Sequence, residues 1–450
     1  MGRLFGTDGI RGVAGKHPLD ANTIWRVGTC LAQLGIRRLV IGRDTRESGP
    51  WIESILTQAL ASQGGAVRHA GVMTTPGVAF LCQNLGCDGG LAVSASHNIY
   101  SDNGLKIFHA AGTKLSDQQE RSLEDAVEAA PSPPQDLREQ EGSFRGDGSG
   151  AFSSDGECFD RYLDSLQSIS HLESLSPLKI VLDCANGAAS ALAPSAFERM
   201  GANVIRQNTQ PDGRNINQNC GAVHPEAMAK AVVESGADLG VAFDGDSDRC
   251  IMSDGAGQIF DGDHLLYILG IQLLNRNELD TRCVVTTVMA NLGLQLALKE
   301  KGIRMVRTPV GDRHVLEEME RGNHPLGGEQ SGHIILRHHA KSGDGILTAL
   351  KVAEIVIEEG RGLKELSSGF EPFPQIQRSV PVAEKFDFTT IPAIQREILE
   401  AERNLGNRGR VLVRYSGTEP LVRIMIEGEE RDQVEQYAEA ITSHFRHQQT

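Results

Sequence analysis

This 450-residue sequence has no cysteine pair of the closely spaced C-x-x-C kind and no long apolar run, and only 5% of its residues are aromatic. None of the eight cysteines stands in a C-x-x-C pair, which argues against a zinc site or a thioredoxin-type motif. We interpret them as small core residues of a reducing compartment. The longest apolar window, LLYILGIQLL, is too short to span a bilayer. The first residues, MGRLFGTDGIRG, contain no apolar stretch of a secretory signal. These absences predict a cytoplasmic protein that does not bind membranes.

A basic surface is missing as well. No cluster of five or more Lys and Arg residues occurs, and 59 Asp and Glu against 44 Lys and Arg give a net charge of -15. This balance argues against nucleic acid and anionic membranes as partners. It does not exclude small anionic substrates, because a few arginines can dominate the charge of a pocket.

Glycine, in contrast, is abundant, and strands alternate with helices along most of the chain. The 50 glycines predict many tight turns and loop-built sites. Three strand–turn–helix–strand stretches begin at RLVIGRDTR, LKIVLDCANG and TRCVVTTVMAN, a pattern typical of βαβ units. A final strand pair, RVLVRYSGTEPLVRIMIEGE, precedes a helix from Asp432 to about His447. We therefore expect an α/β protein: three related α/β domains with mostly parallel mixed sheets, plus a smaller C-terminal α+β domain with an antiparallel sheet.

Segments rich in proline, serine and glycine indicate the domain boundaries. PSPPQDLREQEGSFRGDGSGAFSSDGE reads as an exposed connection between the first two domains, and SDGAGQIFDGD as a hairpin leading to the third. SSGFEPFPQIQRSVPV introduces the last. The expected domains are residues 1–153, 154–254, 255–368 and 369–450.

An acidic loop, FDGDSDR, follows the apolar strand LGVAF. Asp244, Asp246 and Asp248 alternate, so in an extended chain their side chains point the same way. Three carboxylates at the end of a buried strand suit a hard divalent cation. An EF-hand is excluded, because loop positions six and twelve are Arg249 and Gly255. An aspartyl-phosphate nucleophile and a solvated acidic turn are the other interpretations.

A basic loop, RYSGTEPLVR, lies in the C-terminal strand pair. Arginine forks bind phosphate in a bidentate manner, and the backbone N–H groups of a glycine turn add donors. A hairpin with surface arginines is an equally good interpretation of this sequence. The candidate phosphate-binding residues are Arg414, Ser416, Gly417, Thr418 and Arg423.

Two further loops carry polar groups between glycines. In GGEQSGH, Glu329 and Ser331 can hold adjacent sugar hydroxyls, and Glu329 can also hold an amine, while His333 fits either a site or the core. In GTDGIRG, we expect Arg11 on a glycine-bounded turn.

The stretch GLAVSASHNIYSDNGLKIF reads as a strand, a polar loop and a second strand. We expect a turn at residues 102–104 that brings Lys106 back toward Ser96. No G-x-S-x-G motif is present, so a hydrolase triad finds no support. On its own the stretch is either a nucleophile loop or a polar turn.

Together, SASHN, DGDSDR, GEQSGH and SGTEP occur in an order and spacing that resemble the α-D-phosphohexomutases over essentially the whole chain. GEQSGH and VGDRHV are similar to the bacterial members that act on glucosamine phosphate. The resemblance implies four domains around a central cleft. It also implies an isomerase that interconverts glucosamine 6-phosphate and glucosamine 1-phosphate for amino-sugar and cell-wall synthesis.

The resemblance also implies a role for each loop. Ser96 carries the phosphoryl group and joins Asp244, Asp246 and Asp248 on one Mg²⁺ per chain. Activity then requires phosphorylation of Ser96, with a sugar bisphosphate as activator. Arg11, Lys106 and Arg249 neutralise charge, and His333 and Lys106 are the acid–base candidates. Glu329 and Ser331 bind the sugar. The phosphate at the other end of the sugar is bound by Arg414, Ser416, Gly417, Thr418 and Arg423.

Alternatives stay open at this point. A phosphomannomutase or phosphoglucomutase would use the same loops, a Mg-dependent phosphatase would use Asp244 as nucleophile, and a degenerate relative would only bind sugar phosphates. The sequence departs from the family pattern at Ile99, where proline is usual, and at Ser247, where glycine is usual. The resemblance is also compatible with a homodimer.

Overall fold

The computed structural model describes residues 4–6, 8–135, 155–382, 386–415 and 420–447, which fall into two compact units. The larger unit spans Gly2–Val288 and Val306–Ser367, and the smaller spans Met289–Met305 and Ser368–Thr450. Most of the connection expected between the first two domains, residues 136–154, lies outside the described residues.

The described helices are numbered in chain order. They are α1 Ala21–Gln33, α2 Gly49–Ser62, α3 Thr75–Asn84, α4 Asp117–Ala129, α5 Gly156–Ile169, α6 Ala189–Arg199, α7 Glu226–Ser235, α8 Gly262–Asn275, α9 Leu292–Glu300, α10 Asp312–Arg321, α11 Gly345–Glu359, α12 Leu363–Leu366, α13 Pro392–Leu405 and α14 Arg431–His447. Short 3₁₀ turns cover Gly221–Val223, Phe388–Thr390 and Gly406–Arg408.

The strands are numbered in the same way. They are β1 Phe5–Gly6, β2 Gly9–Val13, β3 Arg38–Arg43, β4 Ala66–Val72, β5 Gly89–Val93, β6 Asp102–His109, β7 Lys179–Asp183, β8 Asn203–Gln207, β9 Leu239–Phe243, β10 Cys250–Asp254, β11 Ile259–Phe260, β12 Cys283–Thr287, β13 Arg304–Thr308, β14 Leu326–Gly328, β15 Ile334–Leu336, β16 Gln375–Pro381, β17 Gly409–Tyr415 and β18 Leu421–Gly428.

Three α/β sheets share one plan, in which parallel strands are joined by antiparallel ones toward one edge. The first has the order β1-β2-β6-β5-β3-β4, with β5, β3 and β4 parallel. The second has the order β11-β10-β9-β7-β8, with β9, β7 and β8 parallel. The third has the order β13-β12-β14-β15, with β12 and β14 parallel. The predicted α/β class and the repeated domain plan are confirmed.

The smaller unit has a three-stranded antiparallel sheet, β16-β18-β17. Its core combines apolar residues of this sheet with those of helices α13 and α14, such as Ile394, Ile426 and Phe445. This is the α+β module expected from the strand pair and the terminal helix.

Local sequence accounts for many element boundaries. Side chains of Asp20, Thr74, Asp261 and Asp344 accept backbone N–H bonds at the starts of α1, α3, α8 and α11. Strands β5, β9 and β12 are apolar runs whose residues are all buried, as expected for central strands covered on both faces. Polar residues that follow these strands therefore emerge at the sheet edges, where sites form.

Two local expectations were wrong. Residues 102–104 do not form a turn: they already lie in β6, where Asp102 pairs with Val13 and Gly104 with Arg11. Arg11 accordingly stands on strand β2 and not on a turn. Both errors have the same cause. Strands β2 and β6 pair with each other, and a prediction made from either segment alone does not include that pairing.

The described part of the chain contains no helix with the length and apolar character needed to cross a membrane.

Candidate active site

Ser96 lies three residues beyond strand β5, in a loop that is buried despite its polarity. The Ser96 side chain is enclosed, and its backbone has a φ of 52°, in the left-handed region that residues with a Cβ rarely adopt. Its N–H donates to Oγ of Ser94 at 2.9 Å. A nucleophile candidate is thus presented on strained backbone that the surroundings must hold in place.

The acidic loop begins directly after strand β9 and meets the serine loop. The Ser96 hydroxyl donates to Oδ2 of Asp244 at 2.5 Å. Gly245 allows this approach, because a Cβ at that position would lie 2.6 Å from the Ser96 carbonyl oxygen. Ser247, the residue that replaces the usual glycine, has a φ of 62°.

Asp244, Asp246 and Asp248 form a cluster whose ligand oxygens lie within 4.8 Å of one another, and all three are buried. Oδ1 of Asp246 and Oδ1 of Asp248 are buried with no hydrogen-bond partner in the described part of the chain. Burial, together with the charges of Asp248 and Asp246, raises the pKa of Asp244 to about 8. Buried, mutually repelling carboxylates with free oxygens fit a hard divalent cation such as Mg²⁺. The predicted metal-binding residues therefore come together, with the Ser96 oxygen beside them.

Lys106, on strand β6, is enclosed among carboxylates. Its Nζ lies 2.7 Å from Oδ2 of Asp246 and 3.0 Å from oxygens of both Asp248 and Asp8. Burial acts to lower the pKa of Lys106, but these carboxylates outweigh it and raise the pKa well above its usual value. Lys106 therefore stays protonated, so it can stabilise negative charge, but the raised pKa makes it a poor proton donor and keeps it from acting as a base.

Arg11 and Arg249 bring two more positive charges to this region. Arg11 pairs with Asp8 and donates to the carbonyl oxygen of Ala95, the residue before Ser96, at 3.2 Å. The backbone N–H of Arg249 donates to Oδ1 of Asp244 at 3.2 Å, and its Nη1 lies 3.2 Å from Nδ1 of His97. Burial and the charges of Arg249 and Arg11 lower the pKa of His97 to about 4. His97 is therefore a neutral acceptor next to Ser96.

His333 is buried between two acidic groups. Its Nδ1 lies 3.6 Å from Oδ1 of Asp248, and its Nε2 lies 3.6 Å from Oδ2 of Asp312. The N–H of Gly343 donates to Nε2 at 3.0 Å, which leaves Nδ1 to carry the proton of the neutral ring toward Asp248. Burial acts to lower the pKa of His333, and the two aspartates outweigh it, so the pKa is raised.

Glu329 and Ser331 lie in the turn between β14 and β15. This turn contacts the second sheet next to the acidic loop, because Cys250, two residues after Asp248, donates its N–H to the Gly332 carbonyl oxygen at 3.1 Å. Oε1 of Glu329 accepts the Gly311 N–H at 3.3 Å. The Ser331 hydroxyl is buried without a hydrogen-bond partner in the described part of the chain.

Several residues of the site were not found by sequence reasoning. Asp8 and Asp312 both contact the half-buried Lys114, at 2.5 Å for Asp312, and Thr75 donates to Oδ2 of Asp246. Arg46 and Asn217 bond the backbone of the serine loop. The available signal for Arg46 was its position three residues beyond strand β3, at the same sheet edge as the end of β5.

The smaller unit contains two of the five candidate phosphate ligands among its described residues. Arg414 on β17 is directly opposite Arg423 on β18, so two guanidinium groups share one face of the sheet. Burial and the neighbouring Arg423 lower the pKa of Arg414. Like charges opposite each other destabilise a sheet, and an anion would relieve this repulsion. Ser416, Gly417 and Thr418 lie outside the described residues.

Comparison with protein families assigns four consecutive segments of the chain. They match the phosphoglucomutase/phosphomannomutase alpha/beta/alpha domain I at residues 2–133, domain II at 160–257, domain III at 261–373 and the C-terminal domain at 379–444.

Individual proteins agree with this result over the whole length. The chain is 46% identical to the phosphoglucosamine mutase of Solibacter usitatus, with 98% of each chain covered, and 44% identical to that of Symbiobacterium thermophilum, with 99% of each covered. A crystal structure of a phosphoglucomutase/phosphomannomutase family protein from Burkholderia thailandensis has the same fold, with a TM-score of 0.77 and 24% identity over 96% of this chain and 95% of that one. The sequence resemblance is thereby confirmed, and the chain belongs to the phosphoglucomutase/phosphomannomutase family of phosphosugar mutases.

Proposed function

We propose that this protein is a phosphoglucosamine mutase. It interconverts glucosamine 6-phosphate and glucosamine 1-phosphate through a phosphorylated Ser96 and a glucosamine bisphosphate, and so supplies amino-sugar synthesis. The observation that carries the proposal is the Ser96 hydroxyl, held 2.5 Å from Asp244 within the three-carboxylate cluster and beside Lys106. The full-length likeness to relatives named phosphoglucosamine mutase supports the choice of sugar.

The reaction consists of two opposite phosphoryl transfers. In the first, the bond between phosphorus and the Ser96 oxygen breaks while a bond forms to the free hydroxyl oxygen of the bound sugar monophosphate. In the second, the other phosphate of the bisphosphate returns to Ser96. In the first step the proton of the sugar hydroxyl passes to the departing Ser96 oxygen, and in the second the proton of the Ser96 hydroxyl passes to the departing sugar oxygen. Apart from the covalent bond to Ser96, such transfers depend mainly on positioning and charge neutralisation.

The chain supplies positive charge and proton carriers for these steps. Asp244, Asp246 and Asp248 would hold Mg²⁺, which neutralises phosphoryl oxygens when bound. Lys106, Arg11 and Arg249 add positive charge at the same place. His333 and Lys106 are the proposed proton carriers; because the pKa of Lys106 is raised, its main contribution is positive charge.

The remaining assignments concern the sugar and the molecule as a whole. Glu329 and Ser331 bind the sugar, and Glu329 also suits the 2-ammonium group of glucosamine. The far phosphate is bound by Arg414, Ser416, Gly417, Thr418 and Arg423. Initial phosphorylation of Ser96, a sugar bisphosphate activator, a homodimer in the cytoplasm and the domain limits 1–153, 154–254, 255–368 and 369–450 stay predictions.

A ³¹P NMR time course tests the proposal. Purified protein with Mg²⁺ and a trace of the matching sugar bisphosphate is given glucosamine 6-phosphate or mannose 6-phosphate. Rapid growth of a 1-phosphate signal with glucosamine alone is the expected result. Faster conversion of mannose 6-phosphate would change the assigned substrate but leave the proposed phosphoserine mechanism unchanged. Release of inorganic phosphate alone would identify a phosphatase that uses Asp244, and tight binding without turnover would identify a binding protein.

Ser96→Ala provides the matched mutational test. The variant should fold normally and lose all mutase activity, because it lacks the hydroxyl that is proposed to carry the phosphoryl group. Ser101→Ala, in the same loop, is the control and should retain wild-type activity. Turnover by the Ser96 variant near the wild-type rate would contradict the proposal.

A further inference from the structure

Arg46 is a fully enclosed arginine whose whole donor capacity is directed at one loop. Its side chain has 0% exposure. Nε donates to Oδ2 of Asp44 at 2.8 Å. The other four N–H groups reach backbone carbonyl oxygens of the serine loop, namely Ser96 at 2.9 Å, Asn98 at 2.8 Å, Asp102 at 3.0 Å, and Ile99.

This count matches the chemistry of the side chain. A guanidinium has five N–H donors in a fixed plane, and here each has one acceptor. Lysine has three donors on a flexible stem, so it could not satisfy the same set. An arginine with no specific role in the serine loop would not be expected to bond four carbonyl groups of one seven-residue segment, residues 96–102.

A second residue, Asn217, supports the same loop from a different part of the chain. Nδ2 of Asn217 donates to the carbonyl oxygens of Ser96 and Asn98, at 2.8 and 3.0 Å. The Ser96 carbonyl therefore receives bonds from both Arg46 and Asn217. Because this fixes the peptide plane after Ser96, it also fixes the backbone that aims the Ser96 hydroxyl at Asp244.

The remaining features of the loop show why such support is needed. Ser96 has a φ of 52°, which must be maintained by surrounding contacts. Ile99 is 64% exposed, so its own packing holds the loop weakly. Asp44 is in turn tied to the loop by Oγ of Ser94, at 2.6 Å.

We propose that Arg46 is a positioning residue for phosphoryl transfer: it holds the segment 96–102 so that Ser96 is presented in one geometry to both ends of the sugar phosphate. This inference rests on the proposed function for its kinetic consequence, but its structural part stands on the hydrogen bonds alone. Arg46 acts through Ser96 and needs no contact with the substrate.

The test compares Arg46→Lys with Arg43→Lys. Arg43 is also a buried arginine, at the end of β3, but it pairs with Glu53 on α2, at 3.0 Å. For Arg46→Lys we expect kcat to fall by about 100-fold, the loss typical of a displacement of about 1 Å, with KM for glucosamine 6-phosphate unchanged. Arg43→Lys should keep both constants. Wild-type kcat in Arg46→Lys would overturn the proposal.

Amide hydrogen exchange gives a readout that does not depend on activity. In Arg46→Lys, peptides covering residues 96–102 should exchange at least about tenfold faster, while β5, β9 and the rest of the larger unit keep their protection. Equal exchange in the loop of variant and wild type would overturn the proposal even if activity were lost. If the wild-type protein has no mutase activity, the proposed function fails while this experiment still decides whether Arg46 holds the loop.

Asn217→Ala covers the case in which Arg46→Lys does not fold. It removes two bonds to the same carbonyls from a separate element. A smaller drop in kcat at constant KM, with faster exchange confined to residues 96–102, supports the proposal. Uniformly faster exchange throughout the larger unit, with loop and core affected alike, would show a purely structural role and overturn it.

Discussion

Ser247 shows how a single residue can carry strain inside the acidic loop. Its φ of 62° costs a residue with a Cβ about 1–2 kcal/mol, whereas glycine adopts it freely. Its hydroxyl is buried without a partner in the described part of the chain. Against this, glycine loses about 0.5–1 kcal/mol through greater freedom in the unfolded chain. We expect Ser247→Gly to stabilise the protein by about 0.5–1 kcal/mol, measured by urea unfolding.

Ser253→Gly is the matched control. Ser253 is an equally buried serine in strand β10, where the backbone is extended. Glycine at that position should destabilise by about 0.5–1 kcal/mol. Opposite signs for the two variants support the strain argument, and destabilisation by both would refute it.

At the residue scale, the three-carboxylate cluster could be predicted from the sequence and the residues that support the serine loop could not. Asp244, Asp246 and Asp248 alternate within five residues and follow a recognisable buried strand, so the local pattern was sufficient. Arg46 meets the carbonyl of Ser96 across fifty residues, and Asn217 meets it across 121. Contacts of this range are formed by folding, and no local spacing encodes them.

At the scale of secondary-structure elements, helix α11 begins at a buried carboxylate with an altered pKa. Burial raises the pKa of Asp344 to about 6 from an ordinary value of 3.8, although the Leu347 N–H and the Tyr162 hydroxyl act to lower it. A group whose pKa is raised in the folded state contributes stability below its unfolded pKa, and this is lost as the pH rises through the folded value. The charged form thus costs the folded protein roughly 3 kcal/mol at neutral pH.

Asp344→Asn should remove this dependence while keeping one oxygen for the cap. From about pH 4 to about pH 7, the unfolding free energy of the variant should rise relative to wild type by roughly 3 kcal/mol. Tyr162→Phe should act in the opposite direction, because loss of the hydroxyl that donates to Asp344 at 2.8 Å raises the pKa further. Urea unfolding at both pH values checks both variants, and parallel pH profiles for all three proteins would disprove the assignment.

The elements themselves were largely predictable, with errors where pairing is non-local. The third expected strand–turn–helix–strand stretch is present as β12, α9 and β13, and β17 and β18 form the expected strand pair. The spacing of apolar residues and the positions of glycines define such elements from local sequence alone. The segment 102–104 looked like a turn because Asp-Asn-Gly is typical of turns, yet pairing with β2 draws it into β6. A tertiary partner overrode a local preference there.

At the scale of the whole molecule, the division into two units does not follow chain order. Met289–Met305, which includes helix α9, belongs to the same unit as the C-terminal segment. Oε1 of the fully buried Glu427, on β18, accepts the N–H of Leu292 at the start of α9, at 3.0 Å. The same carboxylate pairs with Arg410 and accepts from Nε2 of Gln375 at 2.9 Å. A carboxylate at a helix N-terminus is favourable, so Glu427 links α9 to the sheet electrostatically as well as by hydrogen bonding.

Glu427→Gln should therefore destabilise the smaller unit as one body. The loss of charge leaves Arg410 uncompensated and should cost about 2–4 kcal/mol. Amide exchange should accelerate together in residues 292–300 and in β16 to β18, while β9 and β12 of the larger unit keep their protection. Glu429→Gln, which removes an exposed partner of Arg408, is the control and should leave both patterns unchanged. If residues 292–300 keep their protection while β16 to β18 lose theirs, α9 is stabilised by other contacts and Glu427 does not unite the two segments.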